Sequence, residues 1–268
     1  MKTASGWLLC LAFLLAGCGI PENGDDAASQ PTLTLFVAAS LTDVAQALGD
    51  AFAEEHGVRV VCNFAGSGAL AQQLLAAPRA DLFLSASERW MDVVEEGGRL
   101  LPGSRRTLLS NQLVVIGHPQ SDYALADPTG MAELPFAFLA VGDPASVPAG
   151  RYARTWLQSV STASGSSVWE ALEARLSPAP DVRSALTQVT GRRDVIGIVY
   201  RTDVSARPNE VRELYAVPVE AGPPIAYPAA ILRESTHPDL AQTFLAFLQS
   251  PTARTLFEES GFTVLASQ

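Results

Sequence analysis

Thr32-Leu33-Thr34-Leu35-Phe36-Val37-Ala38, running directly into Ala39-Ser40-Leu41-Thr42-Asp43, is the stretch that decides the fold. The first seven residues are an apolar run of strand length. From Leu41 to Glu55 the pattern becomes that of an amphipathic helix, so a strand passes into a helix through a turn that carries Ser40. The same alternation continues outward. Val58 to Phe64 and Asp81 to Ser85 read as strands, and Ala69 to Ala77 and Glu88 to Glu96 as helices. This β-α-β-α-β-α order predicts an α/β fold, with a mostly parallel sheet flanked by helices. Further strands are expected at Leu113 to Gly117, Phe138 to Val141, Val195 to Tyr200, Val211 to Val217 and Ile225 to Ile231. Helices are expected at Pro148 to Val160, Val168 to Leu176, Val182 to Thr190, Leu240 to Gln249 and Thr252 to Ser260.

Upstream of the first strand the chain reads differently. Lys2 precedes the apolar run Trp7 to Ala16, which falls short of the roughly 20 residues a membrane-spanning helix needs. A charged start, a short apolar stretch and small residues before a cut site describe an export signal over residues 1–17. Leu15-Ala16-Gly17-Cys18 resembles a bacterial lipobox, which makes Cys18 the expected site of lipid attachment. Residues 18–31 are poor in apolar side chains and rich in turn formers, as a flexible tether is. Of the three cysteines, Cys10 and Cys18 lie in this export region. Cys62 is left alone in a strand-like run, without an internal disulfide partner, and is expected to be a small buried residue.

Charge narrows the function. Eighteen Lys and Arg stand against 28 Asp and Glu, for a net charge of −10. An acidic chain with no basic cluster argues against a nucleic-acid partner. Lys2 is the only lysine, so an anion site in the folded domain has to use arginine or uncharged donors.

Four strand-to-helix turns suit an anion. In open α/β sheets ligands bind beyond the carboxyl ends of strands, where helix N-termini offer unpaired N–H groups and a positive dipole end. The first turn is the one already quoted, with Ser40 as expected N-cap and Asp43 completing a capping box. The second is Ala65-Gly66-Ser67-Gly68, whose glycines allow close backbone approach. The third is Asp143 to Gly150, with Pro148 at the first helical position. In the fourth, Asp181 is the expected N-cap before Val182. Periodicity alone does not bring the four together.

Several segments resemble the periplasmic molybdate-binding proteins of ABC importers. Phe36 to Asp43, Ala80 to Ala86, Trp90-Met91-Asp92, Ala140 to Pro144, Val147 to Ala153, Asp181 to Leu186, Gly197 to Tyr200, Tyr227 to Ile231 and Gly261-Phe262-Thr263 match in family order. The resemblance implies a two-lobed periplasmic-binding-protein fold with two crossovers. Residues 32–112 and 218–268 would form one lobe and 113–217 the other. It further implies an oxyanion, molybdate or tungstate, held by the hydroxyls of Ser40 and Ser67, the backbone N–H groups of Ala149 and Val182, and the phenol of Tyr200. Also implied are a monomer working outside the cytoplasm, delivery to a membrane permease, and no cofactor. Where relatives carry a serine run, this chain has Gly66-Ser67-Gly68. Ser159 to Val168 is longer than the family pattern and reads as a surface insertion.

Three other readings fit less well. Serine nucleophiles need a base, yet His56, His118 and His237 lie outside these turns and no G-x-S-x-G elbow is present, so no enzyme is expected. Tyr200, Tyr215 and Tyr227 suggest a tyrosine-based ferric site, but no cluster has ligand spacing and no metal cation is expected. A different oxyanion such as sulfate keeps the class and changes only the solute.

Overall fold

The computed structural model describes residues 30–266, so the export signal, Cys18 and nearly all of the tether lie outside the described residues. β1 (Thr32–Ala38) pairs in parallel with β2 (Arg59–Ala65) on one side and β3 (Leu82–Leu84) on the other. α1 (Thr42–His56), α2 (Ser67–Ala76) and α3 (Glu88–Glu96) follow these strands in turn. β4 (Arg106–Ser110) stays in the first sheet, whereas β5 (Leu113–Gly117) opens a second, so the chain crosses at Asn111–Gln112. The second sheet adds β6 (Phe138–Gly142), β7 (Leu176–Ala179), β8 (Val195–Tyr200) and β9 (Arg212–Ala216). Its helices are α4 (Pro148–Ser159), α5 (Val168–Leu172), α6 (Val182–Gly191) and α7 (Arg201–Ala206). The chain returns through residues 217–226 to β10 (Tyr227–Ile231), α8 (Pro238–Phe247), α9 (Pro251–Glu259) and β11 (Thr263–Val264).

The strand orders are β11-β4-β10-β3-β1-β2 and β7-β6-β8-β5-β9. Each sheet is parallel where strand–helix units repeat. It turns antiparallel where the chain crosses: β10 enters between β3 and β4 against both, and β5 runs against β8 and β9. The result is a two-lobed α/β architecture with two crossovers. Among the described residues no helix is long and apolar enough to cross a membrane.

Both faces of β1 are covered. Leu33, Leu35 and Val37 point into the larger core, with α1 residues Val44, Leu48 and Phe52, while Phe36 packs on the opposite face with Phe83, Leu70 and Leu74 of α2. Period-two alternation and burial on both sides explain why this strand reads as nearly continuous apolar sequence. Each buried Leu or Phe is worth about 1.5–3 kcal/mol of transfer free energy, so the two faces together anchor the turns at the strand ends.

The expected helix from Val168 to Leu176 breaks in two. α5 ends at Leu172, a short 3₁₀ turn follows over Glu173–Arg175, and Leu176 begins the edge strand β7. Pro178 lies in β7, a place a proline tolerates because an edge strand has one unpaired side. β4, β11 and α7 were not expected from the sequence pattern. Ser161 and Ser167 form a small bridge that closes the 159–168 segment on the surface. Cys62 is half-buried on β2, and burial, followed by the nearby Asp50, pushes its thiol up to about 11.

Candidate functional site

Each resemblance-derived site residue sits at or just beyond the carboxyl end of a strand. Ser40 follows β1, Ser67 follows β2, Ala149 follows β6, Val182 follows β7, and Tyr200 ends β8. Two therefore come from the first sheet and three from the second, and all five are at most 3% exposed.

Local sequence sets how each is presented. Ser40 lies inside a 3₁₀ turn, Ala39–Leu41, and does not cap α1, which begins at Thr42 without a side-chain cap. The expected capping box is therefore absent: Asp43 turns instead to Arg183 and Arg207. The Ser40 hydroxyl is left buried without a partner among the described residues. Ser67 is the first residue of α2, two positions earlier than the periodicity indicates. Its Oγ accepts the backbone N–H of Ala86 at 3.0 Å.

The other two helix starts follow expectation. Pro148 opens α4, so Ala149 has the second position of the helix. Asp181 caps α6, its carboxylate accepting the N–H of Ser184 at 2.8 Å, and Val182 takes the first position. First-turn N–H groups have no carbonyl within their own helix. Those of Ala149 and Val182 have no other partner among the described residues. The Tyr200 phenol is likewise buried and unpartnered, and burial holds it well above the ordinary tyrosine value. Buried polar groups in native proteins are almost always paired, and these four, the Ser40 and Tyr200 hydroxyls and the Ala149 and Val182 N–H groups, are not paired among the described residues.

Contacts between the two sheets' turns bring the Ser40, Ser67, Ala149 and Val182 turns against one another. A Cβ on Gly66 would stand 2.7 Å from the carbonyl oxygen of Pro180 and 3.4 Å from a methyl of Val147. Gly68 N–H donates to the Ser146 carbonyl at 3.2 Å, and its own Cα faces that same carbonyl and the Trp90 ring. The glycines beside Ser67 thus serve a close approach between the two lobes. Ser40's turn packs on α6, and a cleft of about 210 Å³ reaches it between Asp43, Arg183, Thr202 and Phe262.

Charge stands near the site but is already committed. Arg183 reaches Asp43 at 2.6 Å and approaches Asp203 at 2.8 Å. The second approach lies off the N–H axis, so it is a Coulombic contact without a hydrogen bond. Asp203 is fully buried and accepts the Tyr200 backbone N–H at 3.0 Å. Burial raises its carboxyl to about 6, against the opposing pull of Arg183. A larger groove of about 470 Å³ carries Arg105, Arg106 and Arg254. Arg105 is spent on Glu88, Asp92 and Glu95, and Arg254 on Glu258, which makes it a poor anion trap.

Two further residues stand behind the site. Tyr227 on β10 is fully buried, with its ring edge-on to Tyr200 at 5.9 Å. Its phenol oxygen accepts from Nδ2 of Asn111 at 3.1 Å. From sequence Tyr227 reads only as a packed aromatic, and Asn111 is silent. Among the described residues no group of three or more His, Cys, Asp or Glu side chains is placed to hold a metal ion.

Comparison with known proteins agrees with this architecture. The family model of bacterial extracellular solute-binding proteins matches residues 33–263. The molybdate-binding protein ModA of Escherichia coli (strain K12) is 36% identical over 258 residues, covering 95% of either chain. A Bacillus subtilis (strain 168) protein, provisionally named ABC transporter substrate-binding lipoprotein YvgL, is 33% identical over 257 residues, 94% of each. In fold, the periplasmic molybdate-binding protein of Azotobacter vinelandii matches with a TM-score of 0.74 at 22% identity, over 87% of this chain and 100% of that one. A strand-end site shared between two lobes and a match along nearly the whole domain lead to one conclusion: the chain belongs to the bacterial extracellular solute-binding protein family.

Proposed function

We propose that this protein captures molybdate, or its near-twin tungstate, outside the cytoplasm and delivers it to the membrane permease of an ABC importer. The observation that carries the reading is a buried set of uncharged donors at strand ends from both sheets. These are the hydroxyls of Ser40, Ser67 and Tyr200 and the N–H groups of Ala149 and Val182. The ModA relative's name supplies the solute.

The chemistry favours such an anion. Molybdate is fully deprotonated near neutral pH, so every oxygen accepts. Phosphate keeps a proton over much of that range, and a pocket that only donates leaves it unpaired, at a cost of about 1–3 kcal/mol. Sulfate is disfavoured by its smaller size. None of the five groups is a general base, and the reading is of binding without turnover.

Capture in this account is a closure. Lobe 1 comprises 32–112 and 218–268, lobe 2 comprises 113–217, and the hinge lies where the chain crosses. There Gln112 Nε2 donates to the Val217 carbonyl at 2.7 Å and Val217 N–H to Leu113 at 3.1 Å. A solute touching both lobes stabilises the closed form over the open one, which is how binding and closure are coupled. The protein works as a monomer without a cofactor. Residues 1–17 direct export, lipid on Cys18 anchors the chain, and residues 18–31 let the domain range from the membrane; the lipoprotein name of YvgL supports the anchor.

Parallel calorimetric titrations with molybdate, tungstate, sulfate and phosphate test the reading. Tight one-to-one binding of the first two, with weak or no binding of the others, is expected. Tight sulfate binding, or no binding of any of the four, would leave the family intact and the solute wrong.

A further inference from the structure

Every polar group of Gln112, at the first crossing between the sheets, is engaged. Its N–H donates to Oδ1 of Asn111 at 2.9 Å, and its carbonyl accepts the backbone N–H of Arg201 at 2.8 Å. In the side chain, Oε1 accepts from Nε of Arg201 at 2.8 Å, while Nε2 donates to the Val217 carbonyl at 2.7 Å. An arginine nitrogen only donates and a carbonyl only accepts, so the amide has one way to face. A single side chain therefore staples the outgoing crossing to the returning one, and both to Arg201.

Arg201 directly follows Tyr200. Tyr200 closes β8 opposite Leu113, the first residue of β5, and its backbone N–H is taken by Asp203 at 3.0 Å. Thr202 is held as well, its Oγ1 accepting from Nδ2 of Asn111 at 2.9 Å. The segment that carries the phenol is thus bound to Asn111–Gln112 through backbone and side chains together. Ser40 and Ser67 stand at the ends of β1 and β2 in the other sheet. The gap between phenol and serines is accordingly set at the crossing.

We propose that Gln112 and Arg201 are positioning residues for Tyr200: by clamping its segment to the crossing they fix how far the phenol stands from the serines, and so the size of anion the closed site accepts. A phenol held at one distance reaches a large tetrahedral anion and falls short of a smaller one, whereas a phenol on a loosened segment follows either. Discrimination between molybdate and sulfate then depends on stiffness at the crossing as well as on the donors. This role rests on the oxyanion reading of the site.

Gln112→Ala removes both side-chain bonds, and Arg201→Met removes the Arg201 side-chain bond while keeping the staple to Val217. Each is titrated with molybdate, and with sulfate in competition, alone and combined with Tyr200→Phe, alongside melting curves without ligand. Each single variant is expected to weaken molybdate by about 5-fold or more and sulfate by less than about 2-fold, so the ratio contracts. In the Tyr200→Phe background the same changes are expected to alter molybdate affinity by less than about 2-fold, because the group they position is gone. If Gln112→Ala fails to fold, Arg201→Met decides, since that side chain is 40% exposed. Equal losses with and without the phenol, or a molybdate-to-sulfate ratio kept within about 2-fold, would overturn the positioning role and leave these residues as hinge packing. An unsubstituted protein that does not bind molybdate would instead remove the oxyanion reading, and this role with it.

Discussion

Nη2 of Arg183, in the first turn of α6, stands 2.6 Å from Oδ2 of Asp43, in the first turn of α1. The two residues are 140 positions apart and belong to different lobes. Arg183 also faces the buried Asp203, so the same guanidinium neutralises one carboxylate inside its lobe and holds one across the cleft. Asp43→Asn removes this crossing contact and the longer one to Arg207 at 3.7 Å, and leaves Arg183 facing Asp203. Asp43 is 44% exposed and the pair is screened, so a loss of about 0.2–1 kcal/mol is expected, a few-fold in affinity. It is expected to enter through faster release and to shrink with added salt. Arg183→Ala also strands Asp203, and melting experiments are expected to show a loss on the order of 3 kcal/mol.

Gly66→Ala probes closure itself. Gly66 has φ −60° and ψ 140°, which alanine adopts freely. Its new methyl would meet Pro180 O at 2.7 Å and side chains of Val147 and Asp181, all on the other lobe. The unliganded variant is expected to melt as the parent does, while calorimetry shows affinity lower by about 10-fold or more, since overpacking costs about 1–3 kcal/mol. Unchanged affinity would contradict a closed form of this shape.

Much of the frame is legible in the amino-acid sequence. β1, β5, β8 and the helices after β1 and β6 follow from apolar period and turn chemistry, because burial on both faces leaves a strong pattern. Short return and edge strands are not legible: β4, β7 and β11 carry Arg, Pro and Thr and owe their pairing to neighbours far along the chain. Asp181 and Pro148 announce their helices, yet Ser40 looks like an N-cap and is not one. Local sequence cannot say that its hydroxyl ends up buried without a partner among the described residues. Arg183–Asp43 and Asn111–Tyr227 are hidden for the same reason, as pairs made only by tertiary placement.

Ser40→Ala separates binding from stability. Its hydroxyl is a buried group without a partner among the described residues, so its removal is expected to leave unliganded stability unchanged or improve it by up to about 1 kcal/mol. Molybdate affinity is expected to fall. Ser67→Ala should differ, because the Ala86 N–H would lose its acceptor and the unliganded protein would lose roughly 1 kcal/mol as well. Thermal melts of both variants with and without molybdate check the contrast.

Asp203 gives the protein a pH signature. Burial raises its carboxyl from the ordinary 3.8 to about 6. A carboxyl whose folded value lies above its unfolded one takes up a proton on folding between the two. Its contribution is therefore most favourable below about pH 4 and declines as pH rises to about 6, the reverse of a salt-bridged carboxylate. Asp203→Asn is expected to flatten this decline. Other carboxylates titrate too, so the readout is the difference in melting temperature between variant and parent, which should move in the variant's favour from pH 4 to pH 6.

The most direct measurement is a crystal structure with molybdate, in which anomalous scattering from molybdenum locates the anion without prior phases. One peak is expected between the lobes, its oxygens within hydrogen-bond reach of the Ser40, Ser67 and Tyr200 hydroxyls and the Ala149 and Val182 N–H groups, with no cation touching it. A peak beside Arg105, Arg106 or Arg254, or no bound molybdenum at all, would contradict capture at the strand ends.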